Sequence, residues 1–262
     1  MARRIASPKT EVKHTEVKHC VDVPEGATET PLPIIATDLP KVYQLKISIA
    51  GSGPLIWRRV LVPARTSLDE LHDIIQAVMD WENSHLHQFE TPGPGETTLK
   101  TGRSRRTSSL RFVPTTDPLG EPFDLLMEDA DENTKDEAEA FLDEVAPATK
   151  FHFLYLYDMG DNWEHDIVVE KILPADPEGI YPICIDGERN HPLEDSGGIW
   201  GYTALLEILA DPSHEEHKDM KAWLREVFGV RTWDGDAFDL GQINKRLKPL
   251  QPKPKRVSRR QT

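Results

Sequence analysis

Cysteine and long apolar segments are both scarce in this sequence of 262 residues. Its two cysteines, Cys20 and Cys184, are too few for a disulfide framework or for a zinc site with four thiolate ligands. The longest apolar runs, such as residues 151–157, are far shorter than the roughly 20 residues that a membrane-spanning helix needs. The basic start of the chain is not followed by the apolar run of a signal sequence. We therefore expect a cytoplasmic protein with no membrane partner.

Motifs for covalent catalysis are also missing. The sequence has no Gly-x-Ser-x-Gly pattern, and residues 51–54 (Gly-Ser-Gly-Pro) lack the lysine and the helix start of a phosphate loop. The glycines of residues 197–201 precede a helix whose amino end could bind an anion, but turn formation explains them equally well. Covalent catalysis therefore has no candidate nucleophile.

Basic residues are scarce in the body of the chain. The formal net charge is −14, yet residues 245–262 hold eight Lys or Arg and no acid. Residues 1–19 hold five bases and two acids, which leaves 18 bases and 43 acids for residues 20–244. Sequence-independent affinity for nucleic acid comes from cations that displace counterions, so this acidic body should repel a phosphate backbone. Contact with nucleic acid is expected only through the basic tails, and the preferred interpretation of residues 253–260 is a solvated tail, because such basic runs are common.

The sequence divides into three segments. Residues 1–39 contain an immediate repeat of Thr-Glu-Val-Lys-His and several prolines, which is the composition of a disordered leader. Residues 40–248 have the periodic apolar patterns of one folded domain. Residues 249–262 are predicted to form a basic, disordered tail.

The domain is predicted to have an α+β fold in which β-hairpins pack with several helices. Alternating apolar residues predict two hairpins, one from strands 42–50 and 55–62 and one from strands 151–157 and 163–169. The capping box at residues 67–70 (Ser-Leu-Asp-Glu) predicts a helix that runs to about Trp81. Further strands are predicted at 85–89 and 180–185, and further helices at 202–210, after residue 216 and at 238–247. Residues 92–117 are predicted to form a long loop, and the second half of the acidic stretch 121–144 an exposed amphipathic helix.

Two polar segments interrupt the apolar pattern. Residues 157–165 (Tyr-Asp-Met-Gly-Asp-Asn-Trp-Glu-His) lie at the turn of the second hairpin, and residues 194–198 are Glu-Asp-Ser-Gly-Gly. A simple connector does not need so many carboxylates and aromatic rings, so we hypothesise a cleft between the hairpins. Its candidate residues are Trp57, Arg58, Arg59, His72, Asp158, Asp161, Trp163, Glu194 and Asp195.

A divalent metal ion is a candidate cofactor, with His85, His87, Asp161 and His165 as its ligands. His85 and His87 are two residues apart on a predicted strand and should point the same way, and imidazole with a carboxylate suits zinc, iron or nickel. Such a cluster would activate water in a hydrolase or a nuclease. The alternative is structural, because Asp, Asn and Gly at residues 158–162 are typical of a hairpin turn, and His72 and His165 have the positions of core histidines.

Arg58 and Arg59 lie on opposite faces of their predicted strand, so one of them should point to the interior. A buried guanidinium requires a carboxylate partner. We predict that Asp158 and Asp161 supply it, in a network that joins the two hairpins.

Five ordered segments together resemble a known family. They are residues 55–60 (Leu-Ile-Trp-Arg-Arg-Val), 71–76 (Leu-His-Asp-Ile-Ile-Gln), 85–89 (His-Leu-His-Gln-Phe), 157–165, and 194–198 with Gly201-Tyr202. In this order they resemble the plasmid pRiA ORF-three-like family over residues 42–247. The resemblance implies one α+β domain of largely unassigned activity, found in bacteria, in archaea and on mobile elements. Members also carry the labels transposable-element passenger and resolvase-like protein, but the sequence has no recombinase pattern.

Three positions depart from the family pattern. Leu193 replaces a proline, Ser196 replaces a cysteine, and Asp80 replaces a glycine that usually precedes the tryptophan. A thiol-based mechanism is therefore not expected. The leading hypothesis is a non-enzymatic binding or accessory protein, linked to mobile elements, that holds an unknown protein or ligand. The alternatives are a metal-dependent hydrolase or nuclease with a His/Asp cluster, and a DNA-associated accessory protein that uses the basic tails.

Overall fold

A computed structural model of the chain describes residues 40–92, 109–116 and 132–252. The predicted leader, residues 1–39, and residues 253–262 of the predicted tail lie outside this part of the chain. Within the described ranges, the fold is α+β, as predicted, with eight strands and five α-helices. None of these helices is both long and apolar enough to cross a membrane.

The strands form one mixed sheet. In chain order they are β1 (Lys41–Ile49), β2 (Trp57–Pro63), β3 (His87–Thr91), β4 (Leu110–Val113), β5 (Thr134–Asp136), β6 (His152–Tyr157), β7 (Trp163–Pro174) and β8 (Ile183–Glu188). Their order across the sheet is β5-β4-β3-β6-β7-β1-β2-β8. Neighbours are antiparallel except β4 and β5. Both predicted hairpins, β1–β2 and β6–β7, are present and are adjacent at the centre of the sheet.

The helices are α1 (Leu68–Met79), α2 (Leu142–Val145), α3 (Gly198–Ala210), α4 (His217–Val227) and α5 (Leu240–Leu247), with a 3₁₀ turn at Lys248–Leu250. The predicted capping box is present. The Glu70 carboxylate accepts the backbone amide of Ser67, and the Ser67 side chain accepts the backbone amide of Glu70. Asp80 ends α1 in the left-handed conformation, with φ of 55°.

One face of the sheet forms the core. Alternate residues of β2, β6 and β7 are buried, and α1 lies across this side with its Leu68, Leu71, Ile75 and Val78 almost inaccessible to solvent. The residues between them, including Trp57 and Arg59, are on the opposite face and stay partly exposed. Period-two burial of this kind is what alternating apolar sequence produces when helices cover one side only.

The segment between β3 and β6 differs from its prediction. The loop predicted for 92–117 contains β4, and the helix predicted near 133–144 is wrong, since β5 is found there and only the four-residue α2 follows. Residues 93–108 and 117–131 lie outside the described residues. The pairing of β4 with β3 and of β5 with β4 outweighs the weak helical spacing of apolar residues on which the helix prediction rested. Pairing at the sheet edge gives these backbone amides and carbonyls hydrogen-bond partners within the protein.

A side-chain amide pairs with the outer edge of β8. Asn244 of α5 accepts the Cys184 amide at 2.8 Å and donates to the Cys184 carbonyl at 2.8 Å. The backbone amide and the backbone carbonyl of Cys184 are therefore both hydrogen-bonded, although none of the described strands pairs with this edge of β8.

Candidate functional site

The turn between β6 and β7 is built on Asp158. This residue has φ of 57°, a left-handed conformation that Asp tolerates well, and its Oδ1 accepts the amides of Gly160 at 2.8 Å and Asp161 at 3.3 Å. The Asn162 amide closes the turn by donating to the Asp158 carbonyl at 2.6 Å. The backbone hydrogen bonds predicted for Asp158 are confirmed, but the positive φ angles of the turn belong to Asp158 and Asn162 and not, as the glycine pattern predicted, to Gly160. The turn leaves Asp158 Oδ2 free to face a neighbouring segment.

That neighbouring segment is residues 193–198. The buried Glu194 carboxylate anchors it, because Oε1 accepts the Tyr157 hydroxyl at 2.6 Å and Oε2 accepts the Glu82 amide at 2.8 Å. Asp195 follows in the left-handed conformation, with φ of 56°, so its side chain turns away from Glu194 towards the surface.

Asp161 joins the two segments. Its Oδ2 accepts the Gly197 amide at 3.0 Å, and its carbonyl oxygen would lie 2.2 Å from a Cβ atom at Gly198. Only glycine fits so close to another backbone. The β6–β7 turn and residues 193–198 are therefore held in one relative position.

His85 completes the cluster from a third segment, just before β3. Its Nε2 lies 3.1 Å from Asp195 Oδ1 and 3.7 Å from Asp158 Oδ2. The ring contacts the Tyr157 ring edge-on, with centroids 5.7 Å apart. Although Nε2 is itself buried and close to Asp195, its geometry makes no hydrogen bond with any described residue.

We call His85, Asp158 and Asp195 the rim trio. One ligand atom from each side chain lies within 4.8 Å of the others, and among the described residues this is the group of three or more His, Cys or acidic side chains that could hold a metal ion. The side chains of His85 and Asp158 are 29% and 12% exposed, whereas Asp195 is 66% exposed. The rim trio is therefore largely shielded from solvent at His85 and Asp158 and accessible to solvent at Asp195.

The other residues of the predicted metal set do not converge on His85. His87 Nε2 lies 2.9–3.0 Å from both carboxylate oxygens of Glu137, deep in the protein, and Asp161 is engaged with Gly197. His85 and His87 differ because β3 begins only at His87, so His85 belongs to the preceding turn rather than to the strand. The residue pair that the sequence suggested as a unit is divided between the rim and the interior.

His87 stacks on His72, with ring centroids 3.5 Å apart and planes within 5°. Burial lowers the pKa of each imidazole to about 3, and for His72 the neighbouring His87 lowers it further. Burial also raises the pKa of Glu137 to about 8, with smaller contributions from Asp69 and Asp136. Burial thus favours the state of the His87–Glu137 pair in which both side chains are neutral and share one proton in a hydrogen bond.

His72 belongs to a closed ring of hydrogen bonds. Gln76 Nε2 donates to the Tyr155 hydroxyl at 3.0 Å, and that hydroxyl donates to His72 Nδ1 at 2.7 Å. His72 Nε2 then donates to Asn83 Oδ1 at 2.8 Å, and the Asn83 amide donates to Gln76 Oε1 at 3.0 Å. The ring fixes the tautomer of His72 and ties α1, the segment after it and β6 together, so His72 has a structural environment.

His165 and Trp163 are core residues. His165 is fully buried between Trp81 and Tyr155, its Nδ1 donates to the Trp163 carbonyl at 3.0 Å, and burial lowers its pKa to about 4. His165 Nε2 and Trp163 Nε1 have no hydrogen-bond partner among the described residues. His165 does not belong to the group of side chains that could hold a metal ion.

The predicted network between the two arginines and the Asp158 turn is wrong. Arg58 is the inward residue, but it donates to the carbonyls of Val78, Trp57 and Glu188, and burial lowers its pKa to about 10. Arg59 is on the open face, where it pairs with Glu170 and Asp186, and Trp57 lies beside it with Nε1 donating to Glu188. Backbone carbonyls of three elements, α1, β2 and β8, satisfy Arg58, an outcome that charge counting does not reveal.

The family departures have clear local settings. Asp80 occupies a left-handed position that suits glycine, and Arg246 donates to its carboxylate at 3.1 Å. Leu193 is buried, and the Ser196 hydroxyl donates to the Leu193 carbonyl at 2.7 Å, away from the rim trio. Sequence reasoning missed Glu137 and Asn83, because Glu137 lies within an acidic stretch of uniform composition and Asn83 follows a helix end without any motif.

Comparison with known proteins agrees with this picture. Residues 41–242 match the sequence model described as plasmid pRiA4b ORF-3-like protein. The chain is 33% identical over 223 residues to the uncharacterized protein y4hQ of Sinorhizobium fredii, which covers 84% of this chain and 98% of that protein. It is also similar to the crystal structure of MM3350 from Methanosarcina mazei Go1, a protein of unknown function, with a TM-score of 0.59 and 39% identity over 77% of this chain and 97% of that one.

Proposed function

The chain belongs to the plasmid pRiA4b ORF-3-like family, and on the geometry of its site we propose that it is a metal-dependent binding protein. The rim trio binds one divalent ion, and a ligand from a partner molecule completes the coordination. The single observation that carries the proposal is the approach of His85 Nε2 to carboxylate oxygens of Asp158 and Asp195 from three separate segments.

The chemistry of the trio suits a divalent transition metal. One imidazole and two carboxylates are ligands that zinc, iron and manganese accept. Asp158 Oδ1 is occupied by turn amides, so Oδ2 is oriented towards the ion, which is the kind of outer support that metal sites require. A metal ion also gives His85 Nε2 the partner that no described residue provides.

The surroundings favour binding of a partner. Three protein ligands leave coordination positions free, and Asp195 opens the site to solvent. Met159, 44% exposed, lies on the same turn as Asp158, and Trp200, 85% exposed, lies in the first turn of α3, directly after the segment that carries Asp195. Exposed Trp and Met side chains on rigid supports are typical contact residues of binding surfaces.

Isothermal titration calorimetry with Mn²⁺ and Zn²⁺ tests the proposal. We expect about one ion per chain, and a loss of affinity of about 100-fold in His85→Ala, because even supporting residues of metal sites contribute about 10- to 100-fold. His152→Ala is the matched control, since His152 is similarly exposed and faces a single carboxylate, Asp166, at 3.2 Å. Absence of binding, or equal affinity in His85→Ala and the parent protein, would overturn the proposal.

Metal-assisted hydrolysis is the second candidate. It is favoured by the free coordination positions, since a metal-bound water has a strongly lowered pKa and becomes a nucleophile. Metal-dependent cleavage of phosphodiester or ester substrates, lost in both His85→Ala and Asp195→Asn, would place the protein in this class. Metal binding without cleavage favours the binding role.

The cellular setting is part of the proposal. A cytoplasmic location and a link to mobile elements are inferred from the sequence and from the family resemblance. Contact with DNA through residues 249–262 is a separate expectation, supported by their five basic residues and lack of acids. Salt-dependent retention on DNA that disappears when these residues are deleted would support it, and identical retention of the shortened protein would contradict it.

A further inference from the structure

A groove of about 300 Å³ lies beside α1, away from the rim trio. One wall is acidic and consists of Glu70 and Asp73 of α1. The rest of the lining is Thr66 and six largely apolar residues: Pro63, Ile74, Tyr181, Pro182, Leu250 and Pro252. The groove is therefore suited to a segment that combines positive charge with apolar or proline residues.

Among the described residues, no lysine or arginine pairs with the acidic wall. Glu70 accepts the Ser67 amide, but Asp73 makes no hydrogen bond or ion pair with any described residue. Partial burial raises the pKa of Asp73, and Asp69, Glu137 and Glu70 raise it further. Every charged neighbour that shifts its pKa is thus an acid.

The chain itself carries a complementary segment. Pro252, the last described residue, is part of the groove, and the next eight residues are Lys-Pro-Lys-Arg-Val-Ser-Arg-Arg. These hold five bases and no acid. An extended chain spans roughly 3.3–3.6 Å per residue, so residues 253–257 reach any point of a groove of this size. Because the segment is tethered to the groove, its effective concentration there is on the order of 1 mM.

We infer that residues 253–260 fold back into the groove beside α1, with their lysines and arginines against Glu70 and Asp73 and their proline and aliphatic atoms against Tyr181 and Pro182. The same basic side chains are then withheld from nucleic acid. High salt releases them, because exposed ion pairs are screened.

Disulfide trapping tests the docked position while leaving every charge in place. In a Cys20→Ser background, Val257→Cys is combined with Pro63→Cys in the groove, or with Pro174→Cys at the end of β7 as a control. We expect the cysteine pair at positions 257 and 63 to form its disulfide about tenfold faster than the pair at positions 257 and 174. A factor of about ten is the combined effect of two or three exposed ion pairs, so the difference in rate should disappear in 1 M NaCl. Equal rates for the two pairs, or disulfides that form only between two chains, would overturn the inference.

Charge reversal and the pKa of Asp73 give independent tests. Asp73→Lys should abolish the faster trapping, whereas Glu207→Lys, at an exposed acid on α3, should not. In the parent protein, deletion of residues 253–262 should raise the pKa of Asp73 measured by NMR, since a neighbouring cation favours the carboxylate. An unchanged pKa after deletion would contradict a docked segment even if trapping succeeds.

Discussion

The buried pair of His87 and Glu137 predicts a specific loss of stability at alkaline pH. The folded pair holds one shared proton, because burial lowers the His87 pKa to about 3 and raises the Glu137 pKa to about 8. In the unfolded chain the two groups have their ordinary pKa values of 6.5 and 4.5. As the pH rises through 6.5 the unfolded pair therefore loses its proton, while the folded pair loses its proton only near pH 8.

The sign follows from proton linkage. Where the folded state binds more protons than the unfolded state, the free energy of unfolding falls as pH rises. Averaged over pH 6.5 to 8 the folded pair binds about 0.6 proton more than the unfolded pair, and one proton over one pH unit corresponds to about 1.4 kcal/mol, so the pair should lose about 1.3 kcal/mol. The buried histidines His72, His165 and His191, whose pKa values burial lowers, each raise the stability by about 0.4 kcal/mol between pH 6.5 and 8, and they do so equally in the parent protein and in any variant of Glu137.

Glu137→Gln isolates this effect. Glutamine keeps a hydrogen-bonding partner for His87 Nε2 but cannot ionise, so the alkaline loss should vanish. Urea unfolding at pH 6.5 and pH 8 measures the contribution of Glu137 alone, as a change of about 1.6 kcal/mol in the difference between the parent protein and the variant. Glu139→Gln, at an exposed acid two residues away, is the control and should follow the parent protein at both pH values.

Parallel stability profiles of the parent protein and Glu137→Gln between pH 6.5 and 8 would refute the reasoning. They would mean that the pair does not retain its proton in the folded state, and hence that water reaches the stacked histidines.

Two further predictions concern the supports of the site. Tyr155→Phe removes the hydroxyl that joins Gln76 and His72, and should lower the free energy of unfolding by about 2 kcal/mol or more because two buried polar groups lose a partner. A loss under about 0.5 kcal/mol in urea unfolding would show that the ring adds little. Gly198→Ala should cost at least about 2 kcal/mol and weaken metal binding, since its new Cβ meets the Asp161 carbonyl at a φ of +66°. Gly229→Ala, at φ +69° with no atom within 4 Å, is its control, and an equal cost in both variants would exclude a role for the contact.

The local elements of the fold are largely predictable from the sequence. Period-two alternation indicates both hairpins, and the Ser67–Glu70 box marks the start of α1, because these signals depend on neighbours in the chain. The pairing of β4 with β3 and β5 is not predictable in the same way. It depends on partners 19 to 23 residues distant in the chain, and the acidic composition near β5 favours helix or loop when read alone.

The candidate site was predictable as a region but not as a set of ligands. The turn at Asp158 and the segment of Asp195 were both identified, since their polar residues interrupt apolar patterns. The choice between His85 and His87 depends on where β3 begins, which pairing with Tyr157 determines. Likewise, the partners of Arg58 are carbonyl groups, and no sequence pattern marks a carbonyl that a helix end leaves free.

The amide of Asn244 has a consequence for assembly of the protein. The unpaired backbone groups of an edge strand can hydrogen-bond to a strand of another molecule, and this edge-to-edge pairing is a common route to aggregation of folded proteins. At Cys184 such a chain would first have to displace an amide that already mimics its backbone. Helix α5 thus blocks pairing at this edge strand, and association of two molecules through β8 would require α5 to move.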